Sequence, residues 1–504
     1  MFMLQEKYQN YTDQLQKLAD IEYAAAVLEW DKEVNLPKKG GQIRARQTAT
    51  LYGMAHEIFT SSKFKDLLEE LNQGADRLDE KQKRNVEESH RTWLRKNKFN
   101  KEFVIKRSKL VSEGYHAWKA AKEENNASKF LEALKPLVEL KREEAEILGY
   151  QEHPYDALLE EFEPGYTTAQ LDTLFKDVKT QLIDFVQQIR QKPKVNNDFL
   201  KQHFPHQKQW DFGIEILRQI GYDFDAGRQD ISDHPFTINF SPSDVRVTTR
   251  IDENNFGSMT WSCIHEGGHA LYEQGLPSEQ YGLPLGQFVS LGIHESQSRL
   301  WENNVGRSLP FWEAHYDLAK TYFPEQLKEV DAQAFYKGIN KIQPSLIRVE
   351  SDELHYHFHI LIRFELEKAL IEGSLEVEDL EIAWNEKYKQ YLDLDINNPT
   401  DGVMQDIHWA LGSFGYFPTY SLGSFYAAQF FEQAKKDIPH LITQIKNGDT
   451  SSLLEWLRNN IHQHGKMYSA DELCRRITGE SLNFKYFMDY AKKKYSSIYF
   501  EQGL

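Results

Sequence analysis

Cysteine is scarce in this sequence. The 504 residues include only two, Cys263 and Cys474, and two cannot build the disulfide framework that stabilises small secreted domains. Residues 1–23 carry charges throughout and lack an apolar segment followed by small residues, so they do not have the form of a secretory signal. Both observations favour a reducing compartment, and we expect a cytoplasmic protein.

Long apolar segments and excess positive charge are also missing. We find no uninterrupted apolar run that could span a bilayer, which predicts a protein without a membrane anchor. The 77 Asp and Glu residues outnumber the 60 Lys and Arg residues, and the net charge is −17. Because nucleic-acid binding generally needs a basic surface, this balance argues against a nucleic-acid partner.

Low-complexity segments, fixed-period repeats and long linkers are absent as well, which predicts one unit over residues 1–504. Residues 1–150 are rich in good helix formers, with a break at 36–41 around Pro37. Within 63–71, four apolar residues recur at helical spacing, namely Phe64, Leu67, Leu68 and Leu71. Our hypothesis is that these charged N-terminal helices form a lid that limits substrate length.

One stretch, residues 234–252, is typical of β-strands. Apolar and polar residues alternate in 234–240 and again in 244–251, and Ser241-Pro242-Ser243 separates the two runs as a turn. After residue 255 the helical pattern resumes and continues to the end of the chain. We therefore predict a large, mostly α-helical protein with a small β-sheet near 234–252.

The segment 265–269 reads His-Glu-Gly-Gly-His, which matches the metal-binding pattern H-E-x-x-H. Positions i and i+4 of a helix lie on one face, so His265 and His269 can bind the same zinc ion. Glu266 would lie beside them as the general base that takes a proton from water. An ordinary buried helix with hydrogen-bonded histidines is the competing interpretation.

Two features weigh against an ordinary helix. Adjacent glycines inside a helix cost about 1 kcal/mol each relative to alanine, so Gly267 and Gly268 indicate close approach of substrate or of another backbone. The flanking residues are apolar or aromatic and indicate a buried helix, in which uncompensated His and Glu side chains are costly; they are Trp261, Ile264, Leu271 and Tyr272.

A catalytic zinc site needs three protein ligands and one open position. The segment His294-Glu295-Ser296-Gln297 supplies a carboxylate on what we expect to be a second helix packed beside the first. We predict Glu295 as the third ligand. His294 is the main alternative, and Glu302 is a weaker one.

Segments between residues 244 and 409 resemble the motifs of the M32 carboxypeptidases, also known as the carboxypeptidase Taq type. They are D-x-R-x-T at 244–248, H-E-x-x-H at 265–269, H-E-S-Q at 294–297, I-R-x-x-A-D at 347–352 with Ser351 in place of Ala, and G-x-x-Q-D-x-H-W at 402–409. The resemblance implies a helical, cleft-containing fold like that of angiotensin-converting enzyme and neurolysin. It also implies a zinc or cobalt centre, a homodimer, and release of single C-terminal residues from peptides with broad side-chain tolerance.

A carboxypeptidase has to recognise a free α-carboxylate, and an arginine fork binds carboxylates in a bidentate manner. Arg348 and Arg246 lie inside matched motifs and are our substrate-binding candidates, with a structural ion pair as the alternative role of each. We expect Asp352 to orient Arg348 if both lie on one helix. Gln405 is a further substrate-binding candidate, and its alternative role is to cap a turn.

Peptide hydrolysis passes through an oxyanion that needs a hydrogen-bond donor from the protein. We predict His408 and Tyr420 for this role, by analogy with the His and Tyr pair of related helical peptidases, and the sequence does not separate Tyr420 from Tyr416. Asp406 is expected to support a metal ligand or His408. The histidines at 355, 357 and 359 are not assigned to the metal, because helical spacing points them in different directions.

These observations predict a cytoplasmic zinc metallocarboxypeptidase whose partners are peptides with a free C-terminus. One alternative is a helical H-E-x-x-H oligoendopeptidase or dipeptidase, which would share the chemistry and cleave at another peptide bond. The other is a helical binding or scaffold protein without a metal. The intact set of His265, His269 and Glu295 argues against this last class.

Overall fold

The computed structural model describes residues 2–500 of the chain. Those residues contain twenty α-helices and three β-strands, which confirms the predicted fold class. The helices are α1 (Phe2–Val34), α2 (Gly41–Thr60), α3 (Ser62–Gln73), α4 (Glu80–Asn97), α5 (Lys101–Glu124), α6 (Ala127–Leu148), α7 (Pro154–Leu159), α8 (Thr168–Arg190), α9 (His206–Gln219), α10 (Phe256–Gln274), α11 (Leu291–Arg299), α12 (Leu309–Tyr322), α13 (Ala332–Ile339), α14 (Tyr356–Glu372), α15 (Leu380–Leu392), α16 (Pro418–Asp437), α17 (Leu441–Lys446), α18 (Ser451–Asn460), α19 (Ala470–Thr478) and α20 (Lys485–Tyr499). The strands are β1 (Gly227–Ile231), β2 (Thr237–Ser241) and β3 (Asp244–Thr249). Among the helices of residues 2–500, none has the length and apolar character needed to cross a membrane.

Helices α1 to α4 form a peripheral layer with a small hydrophobic core of its own. Tyr11 is fully buried there, stacks on Phe64 with 6.3 Å between ring centroids, and donates a hydrogen bond to the carbonyl of Asn85 over 2.9 Å. Helix α3 buries the apolar residues of 63–71, which confirms their helical spacing. The predicted break at 36–41 separates α1 from α2.

A second, larger hydrophobic core joins the chain from α5 to α20. It includes the inner side of the sheet and one side of α10, through residues such as Val245, Val247 and Ile264. Leu283, which precedes α11, packs instead with the N-terminal layer. The segment that leads into α11 therefore lies where the two cores meet.

The strands form a sheet in the order β1-β3-β2, with β1 parallel and β2 antiparallel to β3. The two strands predicted within 234–252 are confirmed. The sequence does not predict β1, because Gly-Arg-Gln-Asp-Ile has no apolar alternation and buries only Gln229. Strand β3 is central, so β2 is an edge strand, and its first residue, Thr237, contacts α10.

The expectation that helices continue to the end of the chain is wrong between α15 and α16. Residues 393–417 are irregular apart from the short turn Trp409–Leu411. A buried carboxylate holds this segment: Glu367 accepts hydrogen bonds from the Trp409 indole over 2.7 Å and from the Gly415 amide over 3.0 Å. Turn hydrogen bonds of the backbone and this side-chain acceptor together take the place of a regular helix here.

Candidate active site

The three residues predicted as metal ligands lie together. His265 and His269 project from α10 and Glu295 projects from α11, and one ligand atom of each lies within 4.8 Å of the others. Glu295 Oε2 is 3.6 Å from His265 Nε2 and 3.4 Å from His269 Nε2. Tetrahedral zinc with bonds near 2.0–2.1 Å separates its ligand atoms by about 3.3 Å. The donor set and its spacing therefore fit a zinc ion.

The two rival ligands lie beside this set. His265 Nδ1 is 2.9 Å from Glu302 Oε2, so the ring donates to Glu302 and leaves Nε2 free to bind a metal. His294 pairs with Glu273 over 2.8 Å and stacks on His269 with 4.4 Å between ring centroids. Glu302 and His294 thus orient the two histidine ligands.

Two arginines balance the carboxylates around the site. Arg299 donates to Glu295 over 2.6 Å and to Glu302 over 3.2 Å, and Arg307 donates to Glu302 over 3.0 Å. Burial works to raise the pKa of Glu295, but Arg299 and the imidazoles lower it well below its usual range. Burial lowers the pKa of His269 to about 3. Both groups are deprotonated near neutral pH, which is the form that binds a metal.

Close approach of another helix explains the glycines of the motif. A Cβ atom on Gly268 would lie 2.7 Å from the Gln297 carbonyl oxygen and from the Ser298 Cα of α11. A Cβ atom on Gly423 of α16 would also come too close to α11, at 2.6 Å from the Cβ atom of Glu295. Glycine on both neighbours lets α10 and α16 approach α11 closely, and the sequence predicts such an approach for α10.

Glu266 has the surroundings of a general base. Its side chain is buried, and the Thr237 hydroxyl donates to its Oε2 over 2.7 Å. Burial raises the pKa of Glu266 above its usual value. No motif pointed to Thr237, whose only local signal was its place at the start of a predicted strand.

Arg348 is buried and held by two partners. Its Nε and Nη2 donate to Asp406 Oδ1 over 3.1 and 2.9 Å, and its Nη1 donates to the Tyr356 hydroxyl over 3.0 Å. Arg363 donates to the other oxygen of Asp406 over 2.6 Å. Two guanidinium groups thus share the carboxylate of Asp406, and Glu367 is a further carboxyl that interacts with Arg363.

The expected pairing of Asp352 with Arg348 is wrong. Asp352 Oδ2 lies 2.7 Å from His355 Nδ1 and accepts from the Gln343 amide over 2.8 Å. Residues Arg348–Glu350 form a 3₁₀ turn and Ser351 is extended, so the i to i+4 geometry of an α-helix does not apply. The carboxylate that pairs with Arg348 is Asp406. From the sequence, Asp406 was expected to support a metal ligand or His408 instead.

Tyr356, which the sequence analysis missed, connects the arginine cluster to the metal site. Its ring lies under the guanidinium of Arg299 at 4.5 Å from the centroid, while its hydroxyl accepts from Arg348. Arg299 is paired in turn with Glu295, the predicted metal ligand. Tyr356 therefore lies between Arg348 and the arginine that binds Glu295. These contacts link Arg348 to the candidate metal site through two side chains.

His408 and Tyr420 are neighbours, as the sequence analysis expected. His408 Nε2 is 3.2 Å from the Tyr420 hydroxyl, and Tyr416 lies 5.4 Å from Tyr420 between ring centroids. Burial lowers the pKa of His408 to about 4, so its ring is neutral near pH 7. The Tyr420 ring also lies 5.0 Å from the Arg348 guanidinium, which places all four groups in one cluster.

The other two substrate-binding candidates are engaged within the protein. Arg246 forms a two-point ion pair with Asp244 at 2.8 Å and lies between the rings of Trp30 and Phe240. Gln405 accepts from the Arg348 amide over 2.9 Å and donates through its Nε2 to scaffold oxygens. Gln405 thus supports the backbone that carries Arg348.

The alternating histidines of α14 have structural partners. His355 pairs with Asp352, His357 lies 3.0 Å from the Ser421 hydroxyl and His359 lies 2.9 Å from the Tyr388 hydroxyl. All three are buried in different directions. Leaving them out of the metal site agrees with these contacts.

The sequence and the fold were compared with those of known proteins. The family model of the carboxypeptidase Taq (M32) metallopeptidases matches residues 10–495. The chain belongs to the M32 family. It is therefore a metallocarboxypeptidase, a hydrolase of peptide bonds, and the resemblance carried by the sequence motifs is confirmed.

Bacterial relatives match this M32 chain over nearly its whole length. Thermostable carboxypeptidase 1 of Thermus thermophilus is 40% identical over 506 residues, which cover 98% of this chain and 99% of that protein. Carboxypeptidase 1 of Bacillus subtilis is 39% identical over 494 residues, covering 97% and 98%. The solved M32 carboxypeptidase of Deinococcus radiodurans R1 is 36% identical, with 98% and 99% coverage and a TM-score of 0.96. Both the sequence and the fold match over nearly the whole length.

Proposed function

We propose that this M32 enzyme is a zinc carboxypeptidase that releases single residues from peptide C-termini and accepts many side chains. The observation that carries the proposal is that Arg348 and Arg363 share the single carboxylate of Asp406. One carboxylate can neutralise only one of the two arginines, and the terminal carboxylate of a peptide is an anion that Arg348 can bind. Arg348 is the member of the cluster that also faces Tyr356 and Tyr420.

His265, His269 and Glu295 would hold the ion, and nitrogen and oxygen ligands of this kind also accept cobalt. Bound zinc supplies Lewis acidity and makes water a nucleophile near neutral pH. Glu266 accepts the proton of the attacking water and passes it to the departing amine. The Thr237 hydroxyl binds Oε2 of this carboxylate, which leaves Oε1 for the water.

The hydroxyl of Tyr420 is our preferred donor to the oxyanion that develops on the cleaved carbonyl. Neutral His408 next to it can accept from Tyr420 or donate to substrate itself. Tyr416 stays the alternative because its ring lies against both residues, with centroids 5.4 Å from Tyr420 and 5.2 Å from His408.

We retain Arg246 and Gln405 as substrate-binding predictions of lower rank. The contacts described above leave Arg246 about one fifth exposed, at 19% of its side chain, and it lies on β3 next to the edge strand. Gln405 would act on substrate through the position of Arg348, whose amide it binds.

The direct test is digestion of a peptide with a free C-terminus beside the same peptide as its C-terminal amide, read by mass spectrometry. We expect stepwise loss of single residues from the acid and a much slower reaction of the amide, because the amide has no charge to pair with Arg348. Internal cleavage of both peptides would support the endopeptidase alternative. No cleavage by protein reloaded with zinc or cobalt would support the binding-protein alternative.

We also propose that residues 1–150 belong to the single domain 1–504 and act as a lid. The ring of Trp30 on α1 lies 4.5 Å from the Arg246 guanidinium, and α1 contacts the edge strand β2. A layer in this position would hinder long substrates more than short ones. We expect kcat/KM to fall as the peptide is extended at its N-terminus with the last four residues kept constant. A rate that is independent of peptide length would contradict the lid.

Homodimerisation and a cytoplasmic location are further proposals for this chain. The first is implied by the family resemblance, and the second is supported by two buried, unpaired cysteines within residues 2–500. The net charge of −17 supports peptides rather than nucleic acids as partners. Sedimentation of the purified protein and fractionation of cells test the two proposals separately.

A further inference from the structure

The turn between α7 and α8 binds the first amides of the helix that carries Glu295. The Leu291 amide donates to the Phe162 carbonyl over 3.1 Å, and the Gly292 amide donates to Glu163 Oε2 over 2.8 Å. Glu163 Oε1 accepts from the hydroxyl of Ser290, the N-cap residue of α11, over 2.9 Å. One carboxylate thus binds both the cap and the first turn of the helix.

Glu163 is an unusual group to bury. Its exposed fraction is 0%, and the groups that stabilise its charge are the Gly292 amide and the Ser290 hydroxyl rather than a lysine or an arginine. Burial raises the pKa of Glu163 to about 7. A carboxylate at a helix N-terminus gains from the helix dipole, yet an apolar side chain would be easier to bury at this place. Its two hydrogen bonds to α11 tie the turn to this helix.

The fit between Glu163 and α11 is sterically tight. A Cβ atom on Gly292 would lie 2.6 Å from Glu163 Oε2, which is closer than any unstrained contact. An alanine at position 292 would have to displace the carboxylate end of the Glu163 side chain. Residues 163 and 292 therefore form a close contact between the turn and α11.

The other side of the same turn is braced by the N-terminal layer. Glu160 accepts from the Gly165 amide over 2.8 Å and pairs with Arg91 of α4 over 2.8 Å. Arg91 is also paired with the buried Glu88 over 2.8 Å. The turn is thus fixed from behind, and a fixed turn can hold α11 in place.

We propose that Glu163 is a positioning residue for the metal centre, which sets the position of α11 and thereby of Glu295 against the histidines of α10. Glu295 follows Gly292 by three residues, or about 4.5 Å along the axis, so a shift at the first turn moves the ligand directly. The inference rests on the proposed ligand set. It adds a contact outside that set, namely the hydrogen bonds of Glu163 to the start of the helix that carries residues 294–297.

The test is the zinc affinity of the full-length protein, measured by competition with a chromogenic chelator after removal of metal and reloading. Groups that orient metal ligands typically change affinity by 10–100-fold when they are removed. We expect about a tenfold weaker zinc affinity for Glu163→Gln, which keeps one acceptor, and a loss nearer to 100-fold for Glu163→Ala. The matched control is Glu161→Gln, an exposed carboxylate of the same turn that lies 3.8 Å from Arg95 and should keep the wild-type affinity.

The thermal unfolding of the metal-free proteins separates positioning from general stabilisation. A purely structural role would lower the unfolding temperature of metal-free and zinc-loaded protein equally and leave the zinc affinity unchanged, and that result would overturn the proposal. If Glu295→Ala kept the wild-type zinc affinity, the ligand set itself would be wrong. That outcome is distinguishable from a failure at Glu163 alone.

Two milder variants cover the case in which Glu163→Ala does not fold. Gly292→Ala forces the contact apart from the other side, and Glu163→Asp withdraws the carboxylate by one methylene. We expect each to weaken zinc binding, and the double variant to lose less than the product of the two single losses, because the retracted carboxylate makes room for the new methyl group. Losses that multiply would show that the contact does not set the ligand position.

Discussion

Replacing Glu266 by glutamine is expected to lower kcat by about 10²–10⁴-fold, the usual contribution of a general base. Glutamine has the same shape and can still accept from the Thr237 hydroxyl, but it cannot take a proton from water. KM should change little, because Glu266 is a buried group that is not assigned to the substrate. Steady-state kinetics on a free-acid peptide measures both constants.

Metal content is the control for this variant. Glu266 lies outside the set of His265, His269 and Glu295, so Glu266→Gln should bind zinc with the wild-type stoichiometry and unfold at a similar temperature. A protein that keeps its metal and loses its activity places the defect in proton transfer. Activity within tenfold of the wild type would show that another group is the base.

Local spacing predicts that the two histidines of the candidate metal site lie together, because they are four apart on one helix. The i to i+4 geometry of His265 and His269 needs no tertiary information. Glycines 267 and 268 even indicate that something comes close to α10. The sequence cannot tell what it is, and the structure identifies α9 at Gly267 and α11 at Gly268.

Contacts between distant segments are the part that the sequence does not predict. Thr237 and Tyr356 have ordinary roles in a strand and at a helix start, and only the fold brings them to Glu266 and Arg348. The predicted pairing of Asp352 with Arg348 is wrong because it assumed α-helical i to i+4 spacing, whereas the backbone there forms a 3₁₀ turn. Strand β1 lacks alternation because its pairing with β3, and not its own pattern, makes it a strand.

Replacing Arg348 by lysine is expected to weaken recognition of the peptide C-terminus, because Arg348 shares Asp406 with Arg363. Arg348→Lys keeps the positive charge but loses the planar fork that can bind a carboxylate at two points. Losing about 3 kcal/mol of charge-assisted hydrogen bonding corresponds to a fall of about 10²-fold in kcat/KM for the free acid. The C-terminal amide never had that interaction, so its slow rate should change far less. The ratio of the two kcat/KM values is the quantity to measure.

Arg363→Lys is the matched control, because Arg363 pairs with the same carboxylate from a fully buried position. Its Nη1 donates to the His359 carbonyl over 2.8 Å and its guanidinium lies 4.6 Å from the Trp384 ring centroid, so the fold surrounds it. The control should lose stability and keep the acid-to-amide ratio, whereas Arg348→Lys should lose the ratio. Equal ratios in both variants would mean that Arg348 is a structural ion pair and that another group binds the terminal carboxylate. Arg246, which is partly exposed on β3, would then be the residue to substitute next.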